Sequence, residues 1–458
     1  MMGTVRKLQK VLIANRGEIA LRIQRACRGL GIRTVQAYSE ADASASYVAL
    51  ADEAVCIGAP HSSKSYLNSG MIVMAAKATG ADAIHPGYGF LSENADFAEL
   101  AEQNGVVFVG APSSAIRIMG DKISAKRAML EAGVPCIPGS PGALPDDVTE
   151  CAAICEKVGY PLIVKASGGG GGRGMRVVHS PDGLAVAVST TREEARKAFS
   201  NPELYAERFL TEPRHVEIQV IVDREGNGVW LGERDCSMQR RHQKVLEEAP
   251  APNIDRVHLA EVAQRCLEAC KAIGYQGVGT FEFLYERGQL FFIEMNTRLQ
   301  VEHPVTEAIT DIDIVMAQLR IAAGEKLWFA QEDVIFLGHA IECRINAEDP
   351  DTYSPASGSV TEWSVPAGLG IRLDSHVLLG SKIPPFYDSM LGKLIVYART
   401  RELAIDRMRA ALGELRIGGV KTNIPLHHRI LADEGFRSGR FDIHHLEKMN
   451  STDHSAGK

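Results

Sequence analysis

The stretch Glu294–Pro304 constrains the fold more than any other part of the chain, because its polar residues fall on every second position. In an extended strand the side chains alternate between two faces, so this spacing places the polar residues together on one face. They comprise two carboxylates, two amides and a guanidinium: Glu294, Asn296, Arg298, Gln300 and Glu302. We therefore predict an extended segment with a functional polar face, since a solvated edge strand does not need this set of groups.

Two strand-like runs, 280–285 and 290–295, precede this stretch and are separated by a glycine-containing turn. The pattern predicts a β-hairpin in which Glu282 lies opposite Glu294. Two carboxylates directly opposite each other destabilise a sheet unless a cation lies between them. With Asn296 they form an oxygen-rich set that suits Mg2+ or Mn2+. The alternative is a hairpin whose glutamates simply face water.

Composition and charge narrow the class of protein. A length of 458 residues allows about three domains. No apolar run approaches the roughly 20 residues of a membrane span, and no signal-peptide core begins the chain, so we expect a cytoplasmic protein without a membrane partner. The net charge of -7 disfavours nucleic acid as a partner. The nine cysteines are odd in number and lack paired Cys-x-x-Cys motifs, which argues against a disulfide framework.

Strand-like and helix-like runs alternate in the first part of the chain, with strands at 10–14, 33–38, 83–85 and 106–109 and a helix at 18–28. This alternation predicts a doubly wound parallel sheet, whose ligands bind at the carboxyl ends of the strands.

The segment His85–Asn94 is expected at such an end, where its glycines permit a tight turn and Ser92 caps the next helix. A structural and a functional role are both open for His85. The segment Asn15–Glu18 follows the first strand but lacks the Gly-x-Gly-x-x-Gly spacing, so a dinucleotide site is poorly supported.

Five consecutive glycines, 168–172, stand between the predicted strands 161–166 and 176–179. Their backbone N–H groups form a flap that is expected to close over phosphates, with Lys165 adding positive charge. The run does not end in Gly-Lys-Ser/Thr, so it is not a Walker loop. A plain linker is the alternative, and the adjacent Lys165 and Arg173 favour the flap.

Beyond the flap, the run 215–222 predicts a strand with His215, Glu217 and Gln219 on its polar face. The basic run 240–244 is typical of a pocket for small anions. Further predicted elements are a strand at 230–237, helices at 255–273, 312–323 and 402–415, and a region rich in Gly and Pro that begins at 338–346. The cation site, the flap and the cluster of Arg298, Gln300, Glu302 and Arg344 together imply ATP and an anionic co-substrate.

Long motifs give the chain a specific resemblance. They are Val11–Ala20, His85–Asn94, the glycine flap, Glu233–Lys244 and Glu294–Pro304. On these motifs the chain resembles the biotin carboxylase family of ATP-grasp ligases from Val11 to about Glu447. The resemblance implies a multidomain α/β (α+β) fold: an N-terminal α/β domain at 1–120, an ATP-grasp region at 121–335 with its lid at about 138–210, a C-terminal domain at 336–450, and a polar tail at 451–458.

The resemblance also implies site residues. Nucleotide contacts would be Lys122, Lys165, Gly171, Gly172, Glu207, Arg208, Phe209, Leu210, His215, His242 and His444, with 207–210 at the adenine. Metal ligands would be Glu282, Glu294 and Asn296, and the two glutamates count as cofactor-binding. The bicarbonate site would comprise Lys244, Arg298, Gln300 and Val301; Glu302 would be the general base; Arg344 would stabilise the biotin enolate; and Tyr88 would also bind substrate. Arg208 stands where a lysine is common in the family, which leaves the charge unchanged.

The activity implied is ATP-dependent carboxylation of biotin on a carrier protein, with bicarbonate, through carboxyphosphate. It would be the first half-reaction of acetyl-CoA carboxylase in fatty acid synthesis; a component of a propionyl-CoA, other acyl-CoA or pyruvate carboxylase is the alternative. The implied partners are a biotin carboxyl carrier protein, carboxyltransferase subunits and a second copy in a homodimer. Another ATP-grasp ligase that makes a carbamoyl or acyl phosphate, and a regulatory module without turnover, are the other hypotheses. No Ala-Met-Lys-Met tetrapeptide occurs, so we expect a free-standing subunit that carries no biotin itself.

Overall fold

The computed structural model describes residues 7–168, 174–199, 201–241 and 243–449. The flap residues Gly171 and Gly172 and the predicted nucleotide contact His242 lie outside the described residues. Among the helices that are described, none combines the length and apolar character that a membrane crossing requires.

A five-stranded parallel sheet forms the first part of the structure, with strand order β3-β2-β1-β4-β5. The predicted doubly wound sheet is therefore confirmed, although β3 and the helix that follows it were not predicted. Its elements are β1 (Lys10–Ile13), α1 (Gly17–Gly29), β2 (Arg33–Ser39), α2 (Ser46–Ala49), β3 (Glu53–Gly58), α3 (Ser69–Thr79), β4 (Ala83–His85), α4 (Ala95–Gln103) and β5 (Val107–Phe108). The inner strands β1 and β4 are apolar and almost wholly buried, as a parallel sheet covered on both faces requires.

The loop after β4 shows which residue caps α4 and what role His85 has. Asn94, not Ser92, caps α4, because its side chain accepts a hydrogen bond from the Phe97 N–H at 2.8 Å. His85 is fully buried, and its Nδ1 accepts from the Gly87 N–H at 3.0 Å. Burial lowers the pKa of His85 to about 3, so the ring is neutral and shapes the turn.

The lid region contains a three-stranded antiparallel sheet of order β7-β6-β8, as the predicted flap hairpin requires. Two helices lead into this region and two pack in it. The elements are α5 (Ser113–Gly120), α6 (Lys122–Glu131), α7 (Val148–Val158), β6 (Leu162–Ala166), β7 (Met175–Val178), α8 (Leu184–Phe199) and β8 (Leu204–Arg208).

An eight-stranded sheet of order β13-β12-β9-β10-β11-β14-β19-β17 joins the central and C-terminal parts of the chain. Its central elements are β9 (Arg214–Val222), β10 (Gly228–Arg240), β11 (Gln243–Ala249), α9 (Arg256–Ala272), β12 (Gly277–Glu286), β13 (Gln289–Asn296), α10 (His303–Thr310) and α11 (Ile314–Ala322). The C-terminal elements are β14 (His339–Asn346), β15 (Gly358–Ser359), β16 (Glu362–Ser364), β17 (Ile371–Ser375), β18 (Lys382–Ile383), β19 (Met390–Ala398), α12 (Arg401–Glu414), β20 (Arg416–Gly418), α13 (Ile424–Ala432) and α14 (Glu434–Arg437).

The alternation along β9 separates the core from the charged side of this sheet. Val216, Ile218 and Val220 join the same apolar cluster as residues of α9 such as Leu259 and Val262. The residues between them on β9 point to the other face, because successive side chains of a strand alternate. One face of the sheet therefore packs against a helix while the other presents charge.

The β12–β13 hairpin places Glu282 opposite Glu294, as predicted, and a β-bulge between Glu282 and Phe283 shifts the register to give this pair. Arg287 and Gly288 form its two-residue turn, and both have positive φ, as a type I′ turn requires. The expectation of an extended segment as far as Glu302 is wrong: β13 ends at Asn296, and a loop leads to α10, whose N-cap is Glu302. Pro304 at the start of α10 explains the change, since proline favours the first turn of a helix and cannot donate to a sheet.

Candidate active site

One cavity of about 1770 Å³ lies between the N-terminal sheet, the lid region and the charged face of the large sheet. Every predicted site residue that the structure describes lines it. They are Tyr88, Lys122, Lys165, Glu207, Arg208, Phe209, Leu210, His215, Lys244, Glu282, Glu294, Asn296, Arg298, Gln300, Val301, Glu302, Arg344 and His444. Residues from widely separated segments of sequence thus meet at one place.

A buried carboxylate organises the predicted nucleotide end of the cavity. Glu207 on β8 accepts from Lys165 Nζ at 2.7 Å and from Lys126 Nζ at 2.9 Å. Although burial opposes the change, the two lysines lower the pKa of Glu207, so it is ionised. Lys126 was missed in the sequence, yet it stands four residues after Lys122 in α6, and that spacing places both on one helix face.

Backbone contacts shape the wall at the same end. The Phe209 N–H donates to the Pro161 carbonyl at 3.0 Å, and the Arg208 N–H donates to the Pro138 carbonyl at 2.8 Å. Leu210 is buried beside them. Residue 443, next to His444, is tied to this wall by the bond from its N–H to the Pro213 carbonyl at 3.0 Å.

The two hairpin glutamates differ in their surroundings. Glu282 is buried and accepts from Asn296, Gln300 and Lys244. Among the described residues, no side chain or backbone group forms a hydrogen bond or ion pair with the Glu294 carboxylate, which faces the cavity. Desolvation in the cleft, followed by repulsion from Glu282, raises the pKa of Glu294.

A divalent cation fits this pair. An unpartnered carboxylate directly across a strand pair from a second carboxylate is unfavourable on its own, and hard oxygen ligands are those that Mg2+ prefers. Two geometric clusters of candidate metal ligands also occur deeper in the site, His215 with Glu217 and Glu282, and Glu217 with Cys236 and Glu302. Lys244 and Arg234 already neutralise Glu217, and Lys244 also neutralises Glu302, whereas the Glu294 carboxylate has no cation paired with it among the described residues, so we favour the Glu282–Glu294 pair.

Lys244 contacts three buried carboxylates inside the cavity. Its Nζ lies 2.5 Å from Glu217, 2.9 Å from Glu282 and 2.6 Å from Glu302. Burial opposes the change, yet these three carboxylates raise the pKa of Lys244 well above its usual value. Three anions around one ammonium leave an excess of negative charge, which Arg234 and Arg344 offset from either side.

Arg344 contacts two buried carboxylates, Glu302 and Glu247. Its guanidinium lies 2.9 Å from Glu302 Oε2 and 2.6 Å from Glu247 Oε1. Despite burial, Lys244 and Arg344 lower the pKa of Glu302 well below its usual value. Burial raises the pKa of Glu247 to about 7, even though Arg344 acts against that rise. Glu302 is therefore ionised and able to accept a proton.

Arg298 lies nearer the rim than its predicted partners. It donates to Glu93 Oε2 at 2.8 Å and to Asn296 Oδ1 at 2.6 Å. Gln300 points inward and connects Glu282 with Arg234, through bonds of 2.7 Å each. His215 lies 3.0 Å from Glu282, which raises the His215 pKa against the opposing effect of burial.

A cross-strand row of charges underlies the site. Glu294, Glu282, Glu217 and Arg234 are successive partners across β13, β12, β9 and β10. Arg234 is fully buried and was missed in the sequence, although it lies within the Glu233–Lys244 motif. Glu217 was predicted only as part of a polar strand face.

Replacing Arg234 with methionine should destabilise the protein by about 3–5 kcal/mol, because the buried Glu217 loses a charged partner at 2.5 Å. The free energy of unfolding in urea measures the loss. Arg33→Met is the control: Arg33 and Glu53 form an exposed pair, so it should cost about 1 kcal/mol or less. Equal losses in the two variants would contradict the importance of the buried row.

Comparison with known proteins agrees with this geometry. Family models match three successive parts of the chain: the biotin carboxylase N-terminal domain at residues 7–116, the carbamoyl-phosphate synthase L chain ATP-binding domain at 121–329, and the biotin carboxylase C-terminal domain at 342–448. The chain is 60% identical over 441 residues to the biotin carboxylase of Haemophilus influenzae, and the match covers 96% of this chain and 98% of that protein. The chain belongs to the biotin carboxylase family.

Solved structures of the biotin carboxylase family share its fold over nearly the whole chain. A biotin carboxylase–β-γ-ATP complex from Campylobacter jejuni superposes with a TM-score of 0.92 at 46% identity, covering 96% of this chain and 99% of that one. The biotin carboxylase domain dimer of 2-oxoglutarate carboxylase from Hydrogenobacter thermophilus, in complex with MgADP, ADP and bicarbonate, gives 0.90 at 49% identity, with coverages of 96% and 97%. The predicted fold class and family are thereby confirmed.

Proposed function

We propose that this biotin carboxylase family member uses MgATP and bicarbonate to carboxylate biotin held on a carrier protein. The observation that carries the proposal is the convergence of Lys244, Glu302 and Arg344 beside the paired glutamates 282 and 294, in one cavity that also reaches the lid region. It supplies a base, anion-binding cations and a cation site together, as phosphorylation of a small oxyanion requires.

Bicarbonate is a poor carboxyl donor, so it is phosphorylated first. Lys244 and Arg298 hold its negative charge while Glu302 accepts its proton, and a bicarbonate oxygen attacks the γ-phosphorus of ATP to give carboxyphosphate and ADP. The ion pairs of Glu302 hold its pKa low. An anion that draws Lys244 toward itself weakens one of these pairs and so makes Glu302 a stronger base.

A divalent cation at Glu282, Glu294 and Asn296 would neutralise phosphate charge in this step. Mg2+ is proposed, with Mn2+ as a substitute, because both accept carboxylate and amide oxygens. At the nucleotide end of the cavity, Lys122, Lys165, His215 and His444 are proposed ATP contacts, with residues 207–210 at the adenine. Gly171, Gly172 and His242 complete the proposed set.

Transfer to biotin follows in the closed cavity. Carboxyphosphate releases CO2 and phosphate, the phosphate removes the ureido N–H proton, and the nitrogen attacks CO2. Arg344 stabilises the negative ureido oxygen, and Tyr88 and Val301 line the substrate side. Exclusion of water by the lid protects carboxyphosphate from hydrolysis.

We propose that the final acceptor is acetyl-CoA, which makes the reaction the first half of acetyl-CoA carboxylase, and that the chain acts as a cytoplasmic homodimer with carrier and carboxyltransferase subunits. Two relatives, each 49% identical, are named as components of a pyruvate carboxylase from Methanothermobacter thermautotrophicus and of a 2-oxoglutarate carboxylase from Hydrogenobacter thermophilus, which keeps other carboxylases as alternatives. Identification of the biotinylated protein that copurifies with the chain distinguishes them.

Incubation with MgATP and labelled bicarbonate tests the activity. Acid-labile label should appear on an added biotinylated carrier or on free biotin. Cleavage of ATP should depend on the presence of bicarbonate. A carrier without biotin is the matched control. Ammonia-dependent ATP cleavage would instead support a carbamoyl-phosphate-type ligase, and binding of nucleotide without turnover would support a regulatory module.

A further inference from the structure

Lys393 is a buried lysine that takes no part in the proposed reaction steps. It lies on β19, and its side chain is wholly inaccessible to solvent. Burying an ammonium is costly unless it is paired and hydrogen-bonded, so a lysine in such a position needs specific partners.

The partners of Lys393 belong to two other parts of the chain. Its Nζ donates to the Val301 carbonyl at 2.7 Å and lies 3.2 Å from Glu18 Oε1. The same Glu18 oxygen accepts a hydrogen bond from the Tyr88 hydroxyl. Burial raises the pKa of Glu18, and Lys393 is the largest influence against that rise. One lysine therefore connects the loop before α10 with the tyrosine on the substrate side.

We propose that Lys393, together with Glu18, is a positioning residue of the reaction, which holds the Val301–Glu302 peptide so that the Glu302 carboxylate is aimed at bicarbonate. The inference rests on the proposed function. Lys393 itself does not line the cavity, whereas Val301 and Glu302 do. Lys393 therefore acts on Glu302 through the backbone carbonyl of Val301 and not by direct contact with the substrate.

The planarity of the peptide bond makes this contact effective. Fixing the Val301 carbonyl fixes the whole plane as far as the Glu302 Cα, because rotation about the C–N bond is strongly hindered. The Glu302 side chain then extends from a fixed Cα position toward Lys244 and Arg344. In β14 and β19, Arg344 and Lys393 are also direct cross-strand partners, so one strand pair supports both groups.

Loss of this bond should misplace the base without touching the nucleotide. A displacement of about 1 Å can cost about a hundredfold in rate. We expect Lys393→Met to raise KM for bicarbonate and to lower kcat/KM for bicarbonate by about tenfold or more in bicarbonate-dependent ATP cleavage. The dissociation constant of MgADP should stay within about twofold of the wild-type value, because nucleotide contacts lie elsewhere.

Lys10→Met is a matched control. Lys10 also donates to a backbone carbonyl, that of Thr79 at 2.7 Å, and pairs with a glutamate, Glu53 at 2.9 Å, but these two partners do not line the cavity, whereas Val301 and Glu18 do. It should lower the melting temperature and leave KM for bicarbonate unchanged. If Lys393→Met fails to fold, the double variant Lys393→Met/Glu18→Gln removes both buried charges and tests the same link.

Three results overturn the proposal: an unchanged kcat/KM for bicarbonate in the folded variant, a parallel loss of MgADP affinity, or the same kinetic change in Lys10→Met. An unchanged kcat/KM would show that Lys393 does not position Glu302. A loss of MgADP affinity, or the same change in Lys10→Met, would show that the substitution has only a structural effect. Failure of the proposed function is distinguishable, since the wild-type protein would then show no bicarbonate-dependent ATP cleavage.

Discussion

Replacing Glu294 with glutamine is expected to lower kcat for bicarbonate-dependent ATP cleavage by about a hundredfold or more, the scale of losing one preorganised electrostatic partner. Glu294 faces Glu282 across the hairpin and, in the described part of the chain, makes no hydrogen bond or ion pair of its own. Its substitution therefore removes the proposed metal ligand without breaking a side-chain contact with another described residue. Glu282→Gln should show a similar loss, although it also weakens contacts with Lys244 and His215.

Titration with Mg2+ distinguishes a metal ligand from a structural residue. The Glu294→Gln variant should need more Mg2+ to reach half of its reduced rate, and chelation should abolish the activity of the wild-type protein. Glu286→Gln, at the turn of the same hairpin, is the control, because its amide oxygen still accepts from the N–H groups of residues 211 and 212. Wild-type rates at saturating Mg2+ in both cavity variants would disprove the assignment.

Glu302→Gln should suppress bicarbonate-dependent ATP cleavage itself, by about a hundredfold to ten-thousandfold, because it removes the carboxylate proposed to accept the bicarbonate proton. The amide keeps the shape of the side chain and its place at the N-cap of α10. Lys244 and Arg344 each lose one anionic partner but keep others. ATP cleavage at the wild-type rate would show that another group is the base.

Arg344→Ala should affect a different step. Bicarbonate-dependent ATP cleavage should persist, while transfer of labelled carboxyl to biotin falls by about a hundredfold or more, since the negative ureido oxygen loses its cation. The ratio of biotin carboxylated to ATP cleaved is the measurement. Arg372→Ala is the control, because Arg372 pairs with Glu307 and Asp374 and does not line the cavity. A ratio that stays at the wild-type value in Arg344→Ala would remove Arg344 from the transfer step.

Local patterns were sufficient for much of the fold. The parallel sheet follows from alternating strand and helix runs. The pairing of Glu282 with Glu294 was also predicted, but the two-residue turn alone would place Glu282 opposite Ile293, and a β-bulge beside Glu282 shifts the register by one residue. Such features depend on residues close in sequence, whose spacing is visible without any knowledge of tertiary contacts. The resemblance to the biotin carboxylase family then allowed individual site residues to be predicted as well.

Local rules failed where a turn interrupts a pattern. The alternation from Glu294 to Glu302 is real in the sequence, yet the strand ends at Asn296 and Glu302 is the N-cap residue of helix α10. The side chains still converge, because the loop after β13 leads across the face of the sheet to Lys244 on β11, four strands away from β13. The sequence therefore indicated the right residues with the wrong backbone conformation.

By itself, the sequence determined the parallel sheet, the pairing of Glu282 with Glu294 and the family. Only the tertiary structure decided that Arg234 pairs with Glu217, that Lys126 shares Glu207 with Lys165, and that Lys393 holds the Val301 carbonyl. The partners in the last case are 92 residues apart in the chain. No periodicity reveals such pairs, because a buried charge takes its partner from whichever strand the fold places beside it, and its burial is tolerated only once that partner is present.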